Sequence, residues 1–535
     1  MTTTGLPKPD YENILHYFPL DTFRNEQEEI LLKFKEYLLD PEVDYIICQA
    51  ATGTGKSALA LAAALASKSA YVATANKVLQ DQYTRDFSDV MVNLKGRANY
   101  ECWEHPGATC GNSPCRKTPE SRSVCAGNNA CEYHKERDRA AASAITAFNF
   151  AAALPYLNYL GHLFPPRNLL VCDEAHSVWS WITNFIGVDL NLKLLQEINV
   201  LDFIPNYDQV EQYLDLVGRV QSTVEEYLKL DGIDAALVEK LEGLQNRLKV
   251  FDIITDNKTN TDNFILDKTF DLRDYTKITN LSFKPVEVSE LLHDYFFKYA
   301  QKTVLLSAVI LDFDTYMQLM GIDPARARII SIDSTFPVEN KPFITYEAVG
   351  RLNKGNLDAY LPDLCYKIIE LMDKYAGVKG IIHGVSWYLC SKLYNGFPER
   401  IKDRVLFAAA GDTIANQTDL IQEHTEAKEP TVLLSPSMAE GIDLHYDLSR
   451  LQIIVKIPYP YLGDPLVRRR MELYPNFYPM KTAETLVQMY GRSIRSATDT
   501  CDTYILDAGF LRFLENNFEI FPKSFISSIV RLEPR

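Results

Sequence analysis

The eight residues Ala50-Ala51-Thr52-Gly53-Thr54-Gly55-Lys56-Ser57 constrain the fold more tightly than any other stretch of this 535-residue chain. They join a strand-like apolar run, Tyr45-Ile46-Ile47-Cys48, to a helix-forming run that begins Ala58-Leu59-Ala60-Leu61-Ala62. Glycines at 53 and 55 let the loop turn its backbone N–H groups onto phosphate oxygens. Lys56 can reach the β- and γ-phosphates of a nucleotide, and Ser57 can offer its hydroxyl to Mg2+. Ala50 stands where the usual pattern has its first glycine, and its small side chain still fits. A strand, a phosphate loop and a helix in that order belong to parallel sheets covered by helices on both faces, so an α/β architecture is predicted. The length exceeds what one hydrophobic core can hold, which predicts two to four domains.

Two further segments give the loop a context. Leu169-Leu170-Val171-Cys172-Asp173-Glu174-Ala175-His176 is an apolar strand ending in two carboxylates and a histidine. Beside a phosphate loop, Asp173 suits the Mg2+ shell and Glu174 the orientation and deprotonation of an attacking water. Gln488-Met489-Tyr490-Gly491-Arg492-Ser493-Ile494-Arg495-Ser496 places two arginines three residues apart, where they can share a helix face. Arginine brought in from a second domain stabilises the charge that develops on the γ-phosphate oxygens. Taken alone, an Asp-Glu pair after a strand is usually a solvated turn, and two arginines a solvated helix face.

The ordered series resembles the superfamily 2 helicases of the XPD/DinG type along nearly the whole chain. Arg24-Asn25-Glu26-Gln27 is similar to the early adenine-side motif, residues 71–82 (YVATANKVLQDQ) to the segment holding the DNA backbone, and Leu306-Ser307-Ala308 to motif III. Residues 94–102 resemble the lead-in to the iron-sulfur domain, and Ser282-Phe283-Lys284-Pro285 the segment before motif III. Gly380-Ile381-Ile382-His383 resembles motif IV, residues 435–443 (SPSMAEGID) motif V, Pro458-Tyr459-Pro460-Tyr461 the loop before motif VI, and the arginine segment motif VI. The resemblance implies a nucleotide site formed by Arg24, Gln27 (reading the base), Thr52, Gly53, Thr54, Gly55, Lys56, Ser57, His176, Gln488, Gly441 and Asp443. It implies catalysis by Glu174, Asp173, Lys56, Arg492 and Arg495, with Mg2+ on Ser57 and Asp173. Two positions depart from the pattern: Val309 replaces a threonine of motif III, and Asp499-Thr500-Cys501 lacks a glycine after motif VI.

Five of the ten cysteines, Cys102, Cys110, Cys115, Cys125 and Cys131, crowd into thirty residues. The N-terminus shows no basic segment followed by an apolar core, which points to cytoplasm, or host cytoplasm for a viral chain. In that reducing compartment clustered cysteines bind metal more often than they pair. Four-cysteine zinc is one reading, although these separations exceed the usual C-x2-4-C. The resemblance implies a [4Fe-4S] cluster held by Cys102, Cys125, Cys131 and either Cys110 or Cys115. Cys48, Cys172, Cys365, Cys390 and Cys501 sit in apolar or helical runs and read as buried small hydrophobes.

The expected organisation is two RecA-like P-loop motor domains with an inserted iron-sulfur domain and an inserted helical Arch domain. Motor domain 1 takes residues 1–95, 140–185 and 285–329, the cysteine domain 96–139, the Arch 186–284 and motor domain 2 330–535. Leucine spacing predicts helices over 208–228 and 235–251. Lysine and arginine number 55 against 71 acidic residues, a net charge of −16, so attraction to nucleic acid through overall charge is not expected and any contact must be a local groove. The resemblance implies an ATP-dependent DNA helicase, monomeric, moving 5′ to 3′ on single-stranded DNA and opening forked duplex DNA. Residues 74–77 and 435–438 would grip the backbone, and Tyr100, Trp103 and Tyr133 are candidates for base stacking. Two rivals are a nucleic-acid-stimulated translocase that does not unwind and a redox-responsive nucleic-acid-binding protein, which needs neither the phosphate loop nor the arginines.

Overall fold

A computed structural model describes residues 5–531, apart from Asn25, 117–118, 128–129, Asp231, 256–260, 272–273, Tyr275, 408–413, 437–443, His445, Arg495 and Ala497. Gly441, Asp443, Arg495 and most of the motif V segment therefore lie outside the described residues. In chain order the first strands are β1 (Tyr45–Ala50), β2 (Ala70–Thr74), β3 (Val92–Asn93), β4 (Ile145–Asn149), β5 (Arg167–Asp173), β6 (Val188–Asn191), β7 (Phe264–Phe270), β8 (Ile278–Pro285), β9 (Ala300–Ser307) and β10 (Ala327–Ile332). Seven of them make one sheet in the order β10-β1-β9-β5-β2-β4-β3, every neighbouring pair parallel. β2, β4 and β5 are buried along their whole length, as strands covered on both faces must be. The helix Lys56–Ser67, KSALALAAALAS, is buried nearly all round, and its alanines let its backbone lie close to the sheet.

β11 (Phe343–Ile344), β12 (Gly380–His383), β13 (Val405–Phe407), β14 (Val432–Ser435), β15 (Leu451–Ile454), β16 (Asp502–Ile505) and β17 (Ile529–Val530) form a second parallel sheet, ordered β13-β14-β12-β15-β16-β11-β17. The two α/β lobes expected from the sequence are therefore present. Each presents the carboxyl ends of its strands, where ligands bind in such sheets.

The segment between β5 and β9 corrects one expectation. Helices Leu214–Tyr227 and Ala235–Ile254 lie where the leucine spacing places them. The same segment also holds an antiparallel sheet, β6-β8-β7, so it is mixed α/β rather than helical. The runs FILDKTF and ITNLSFKP are rich in β-branched and aromatic residues, and pairing Leu190 with Leu281 and Val188 with Phe283 buries one face against Phe251 and Tyr213. The helix Ala235–Ile254 also meets the cysteine segment, where a Cβ on Gly111 would stand 2.9 Å from Glu239 Oε1. Among the described residues no helix is long and apolar enough to cross a membrane.

A fully buried arginine ties the second lobe to the first. Arg470, on the helix Pro465–Leu473, donates from Nε to Val286 O (2.8 Å) and from Nη2 to Thr183 Oγ1 (2.7 Å) and Pro285 O (3.3 Å), and its guanidinium lies 4.7 Å from the Trp179 ring centre. Burial pushes its pKa down to about 10, so it stays charged at neutral pH. Trp179 follows His176 by three residues, and Phe477, at the start of the helix Phe477–Tyr490, packs edge-on against it. Arg470→Ala would strand two carbonyls and a hydroxyl and leave a void, a cost on the order of 3 kcal/mol. A calorimetric scan should show earlier melting, with Arg470→Lys recovering part of the loss.

Candidate active site

The phosphate loop is shaped by glycine. Gly53 and Gly55 have φ of +86° and +79°, the left-handed region that side chains resist. Gly55 also sits against the Gln27 amide, which a Cβ would strike. Gln27, expected to read the base, is instead buried beneath the loop: its Nε2 donates to Thr54 O (2.7 Å) and its Oε1 accepts from Arg24 N (2.7 Å). Arg24 faces the cleft, together with Thr52, Gly53, Gly55, Lys56 and Ser57. Lys56 Nζ donates to Ala50 O at 3.1 Å, folded back on its own loop. Gly55→Ala should both strain the backbone, by about 1–3 kcal/mol, and displace Gln27. Titration with a fluorescent ATP analogue should show binding weakened at least about tenfold.

Because β9 lies between β1 and β5, the loop and the carboxylates flank its end, Ser307. Asp173 Oδ2 accepts from Tyr83 OH at 3.0 Å and Oδ1 from Glu174 N at 2.9 Å. Burial first, and then the neighbouring Glu174 charge, raises the Asp173 carboxyl above its ordinary range. Glu174 takes a left-handed conformation (φ 56°, ψ 44°), costly for a residue with a Cβ, and this turns its carboxylate to His176 Nδ1 at 3.3 Å. Burial alone would raise Glu174, but the hydrogen bond from His176, with the charges of Lys56 and Arg492, outweighs it and holds the group ionised below the usual range.

His176 links the two lobes. Its Nδ1 is 2.9 Å from Ser307 Oγ, and its Nε2 is 2.7 Å from Gln488 Nε2. An amide nitrogen donates, so Nε2 accepts, which places the ring proton on Nδ1. Ser307 Oγ in turn accepts from Val309 N at 3.2 Å. The chain from motif III to motif VI is thus closed through Ser307, although Val309 brings no hydroxyl of its own.

Arg492 lines the same cleft of about 430 Å3, two residues beyond the helix Phe477–Tyr490. Its charge also bears on His383 at the end of β12, which burial first and Arg492 second push down to about 3, leaving that ring neutral. Two residues at the site carried no signal in the sequence. Tyr83, on the helix Lys77–Phe87, is fully buried behind the cleft and holds Asp173; Lys341, which lines the cleft between the lobes, donates to Ser334 Oγ at 2.8 Å, and burial lowers it to about 8. After motif VI, where the glycine is lacking, buried Asp499 accepts from Arg450 Nη1 (2.6 Å) and Tyr446 N (3.0 Å).

In the cysteine segment, Cys102, Cys110, Cys125 and Cys131 are buried and Cys115 is half-buried. The Sγ atoms of Cys125 and Cys131 and an imidazole nitrogen of His134 lie within 4.8 Å of one another, and the Cys115 thiol neighbours Cys125. Burial, and then hydrogen bonding and repulsion among these sulfurs, raises the Cys125 thiol well above its ordinary range. A crowd of buried thiols with an orphaned imidazole nitrogen fits a metal centre, which would hold the sulfurs as thiolates. Tyr133 is fully buried edge-on to Tyr100, so it is core and not a stacking platform; Trp103, 45% exposed, keeps a free face.

Two RecA-like lobes bring a phosphate loop, paired carboxylates and an arginine into one cleft, the arrangement of a P-loop nucleotide hydrolase. A helicase C-terminal domain family matches residues 380–526. ATP-dependent DNA helicase YoaA of Haemophilus influenzae is 21% identical, with 97% of each chain covered, and YoaA of Escherichia coli is 21% identical over 85% of this chain and 86% of that one. A solved XPD helicase superposes with a TM-score of 0.64 at 16% identity, covering 94% of this chain and 99% of that one. S. tokodaii Xpd4 superposes with a TM-score of 0.58 at 14%, covering 95% and 99%. The chain is thus similar over nearly its whole length to these two helicases, and its fold is that of the solved XPD structures.

Proposed function

We propose that this chain is an ATP-dependent DNA helicase whose cycle is gated by His176. The observation that carries the reading is the His176–Gln488 bond, which joins the carboxylate segment of one lobe to the arginine segment of the other. ATP enters the cleft with its phosphates on the N–H groups of the loop; Lys56 leaves Ala50 O for the β- and γ-oxygens. Mg2+, when bound, neutralises phosphate charge beside Ser57 and Asp173. Glu174, ionised and steered by His176, orients the attacking water and takes its proton. Arg492 supports the charge on the transferred phosphoryl group, and Arg495, by the family resemblance, is the second arginine for that task. Loss of the γ-phosphate removes what holds Arg492 to the first lobe, so hydrolysis opens the cleft.

Movement on DNA is then a consequence of two lobes gripping one strand in turn, through 74–77 on the first and 435–438 on the second. The helix Ala235–Ile254 touching Gly111 supports a closed rim between the mixed α/β Arch and the cysteine module, through which a strand passes. The module's centre is a [4Fe-4S] cluster, which supplies structural staples rather than a step in hydrolysis; reducing cytoplasm suits its thiolates. The motor acts as a monomer in the 5′ to 3′ direction on single-stranded and forked DNA.

The test is strand separation on forks carrying only a 5′ or only a 3′ tail. Opening of the 5′-tailed fork alone, abolished by Lys56→Ala, is expected; ATP turnover with no opening of either fork would establish the translocase reading instead.

A further inference from the structure

Beyond the four-cysteine centre that the family resemblance implies, one side chain near the sulfurs has no assigned task. His134 lies three residues after Cys131, which is the N-cap of the helix Glu132–Ala142. It therefore occupies the third helical position, whose side chain reaches back over the cap residue. There the imidazole comes within 4.8 Å of both Cys125 Sγ and Cys131 Sγ. Its Nδ1 is buried with no hydrogen-bond partner. The ring stacks edge-on to the fully buried Tyr133 with centres 5.1 Å apart, which limits its freedom to turn away. An imidazole nitrogen out of water and unpaired is costly unless something accepts or binds it. Neutral imidazole beside two thiolates is a ready metal donor.

We infer that His134 Nδ1 is a ligand of the module's metal centre, forming a Cys3His set with Cys125, Cys131 and one further cysteine. This rests on the metal-centre reading above. Two of Cys102, Cys110 and Cys115 are then not needed as ligands, whereas a four-thiolate centre would use two of those three. Replacing a thiolate by a neutral imidazole also makes the centre less negative, and so easier to reduce.

The full chain, purified without oxygen, is first assayed for iron and zinc. If iron is present, pulsed EPR of the reduced centre in 15N-histidine-labelled protein should show strong coupling to one nitrogen. That coupling should vanish in His134→Cys, which supplies a thiolate in its place, and the midpoint potential should fall. If zinc is present, absorption fine structure should show one nitrogen at about 2.0–2.1 Å among sulfurs at about 2.3 Å, replaced by sulfur in His134→Cys. His134→Ala should lose metal, and the cysteine variant should retain it even if the alanine variant folds poorly. A metal-loaded wild type with no directly bound nitrogen, or with coupling that survives in His134→Cys, overturns the assignment while leaving the centre itself standing. A wild type holding neither iron nor zinc removes the metal-centre reading and this inference with it.

Discussion

Glu174→Gln should bind ATP about as tightly as the parent chain and hydrolyse it more slowly by about 10^2 to 10^4, the usual range for loss of a positioned base. The amide keeps the size of the carboxylate, so the left-handed turn at Glu174 and the cleft are preserved. What disappears is the acceptor for the water's proton, at a group that His176, Lys56 and Arg492 keep ionised against the penalty of burial. Single-turnover hydrolysis beside equilibrium nucleotide binding separates the two effects. Near-normal turnover would show that another group is the base.

Arg492→Ala should have an effect of similar or greater size, about 10^3 or more in turnover, again with ATP binding largely retained. The residue comes from the second lobe, while the loop that holds the nucleotide belongs to the first. Its charge matters most when negative charge spreads over the γ-oxygens, so the loss should fall on kcat more than on KM. Lysine should rescue poorly, since a point charge does not reproduce the guanidinium fork. A loss confined to KM would place Arg492 in nucleotide binding only.

The parts of this site that are local were readable in the sequence, because their chemistry lies in backbone reach and short spacing. Gly53 and Gly55 signal a loop that needs positive φ, and Asp173-Glu174 follow an apolar run that could only be an interior strand. The links that cross the molecule were not readable. His176 meets Gln488 312 positions away, and Tyr83 reaches Asp173 across 90; Tyr83 carries no signal of its own, and Gln488, although it opens the arginine segment, gives no sign of which residue it meets. Gln27 sits at a motif position, yet its amide supports the loop, because a buried amide must find partners and the Thr54 carbonyl is the nearest.

Two further features were hidden. Nothing in Arg468-Arg469-Arg470 separates the third arginine from its neighbours, and yet Arg470 is buried under carbonyls of the neighbouring lobe. Leucine periodicity in the second insertion announced its helices and hid β7 and β8, whose alternation is shorter and partly polar. His134 did leave a signal, the three-residue step from Cys131, but a search limited to cysteines passes over it.

The motor mechanism depends on the cleft between the lobes responding to a strand held by both. The most direct measurement is the steady-state rate of ATP hydrolysis by the metal-loaded chain with and without single-stranded DNA. The rate should rise by at least about tenfold with saturating single strand, which is about 1.4 kcal/mol of barrier, and Lys56→Ala should abolish it under both conditions. An unchanged rate in protein that binds both ATP and DNA would contradict the account.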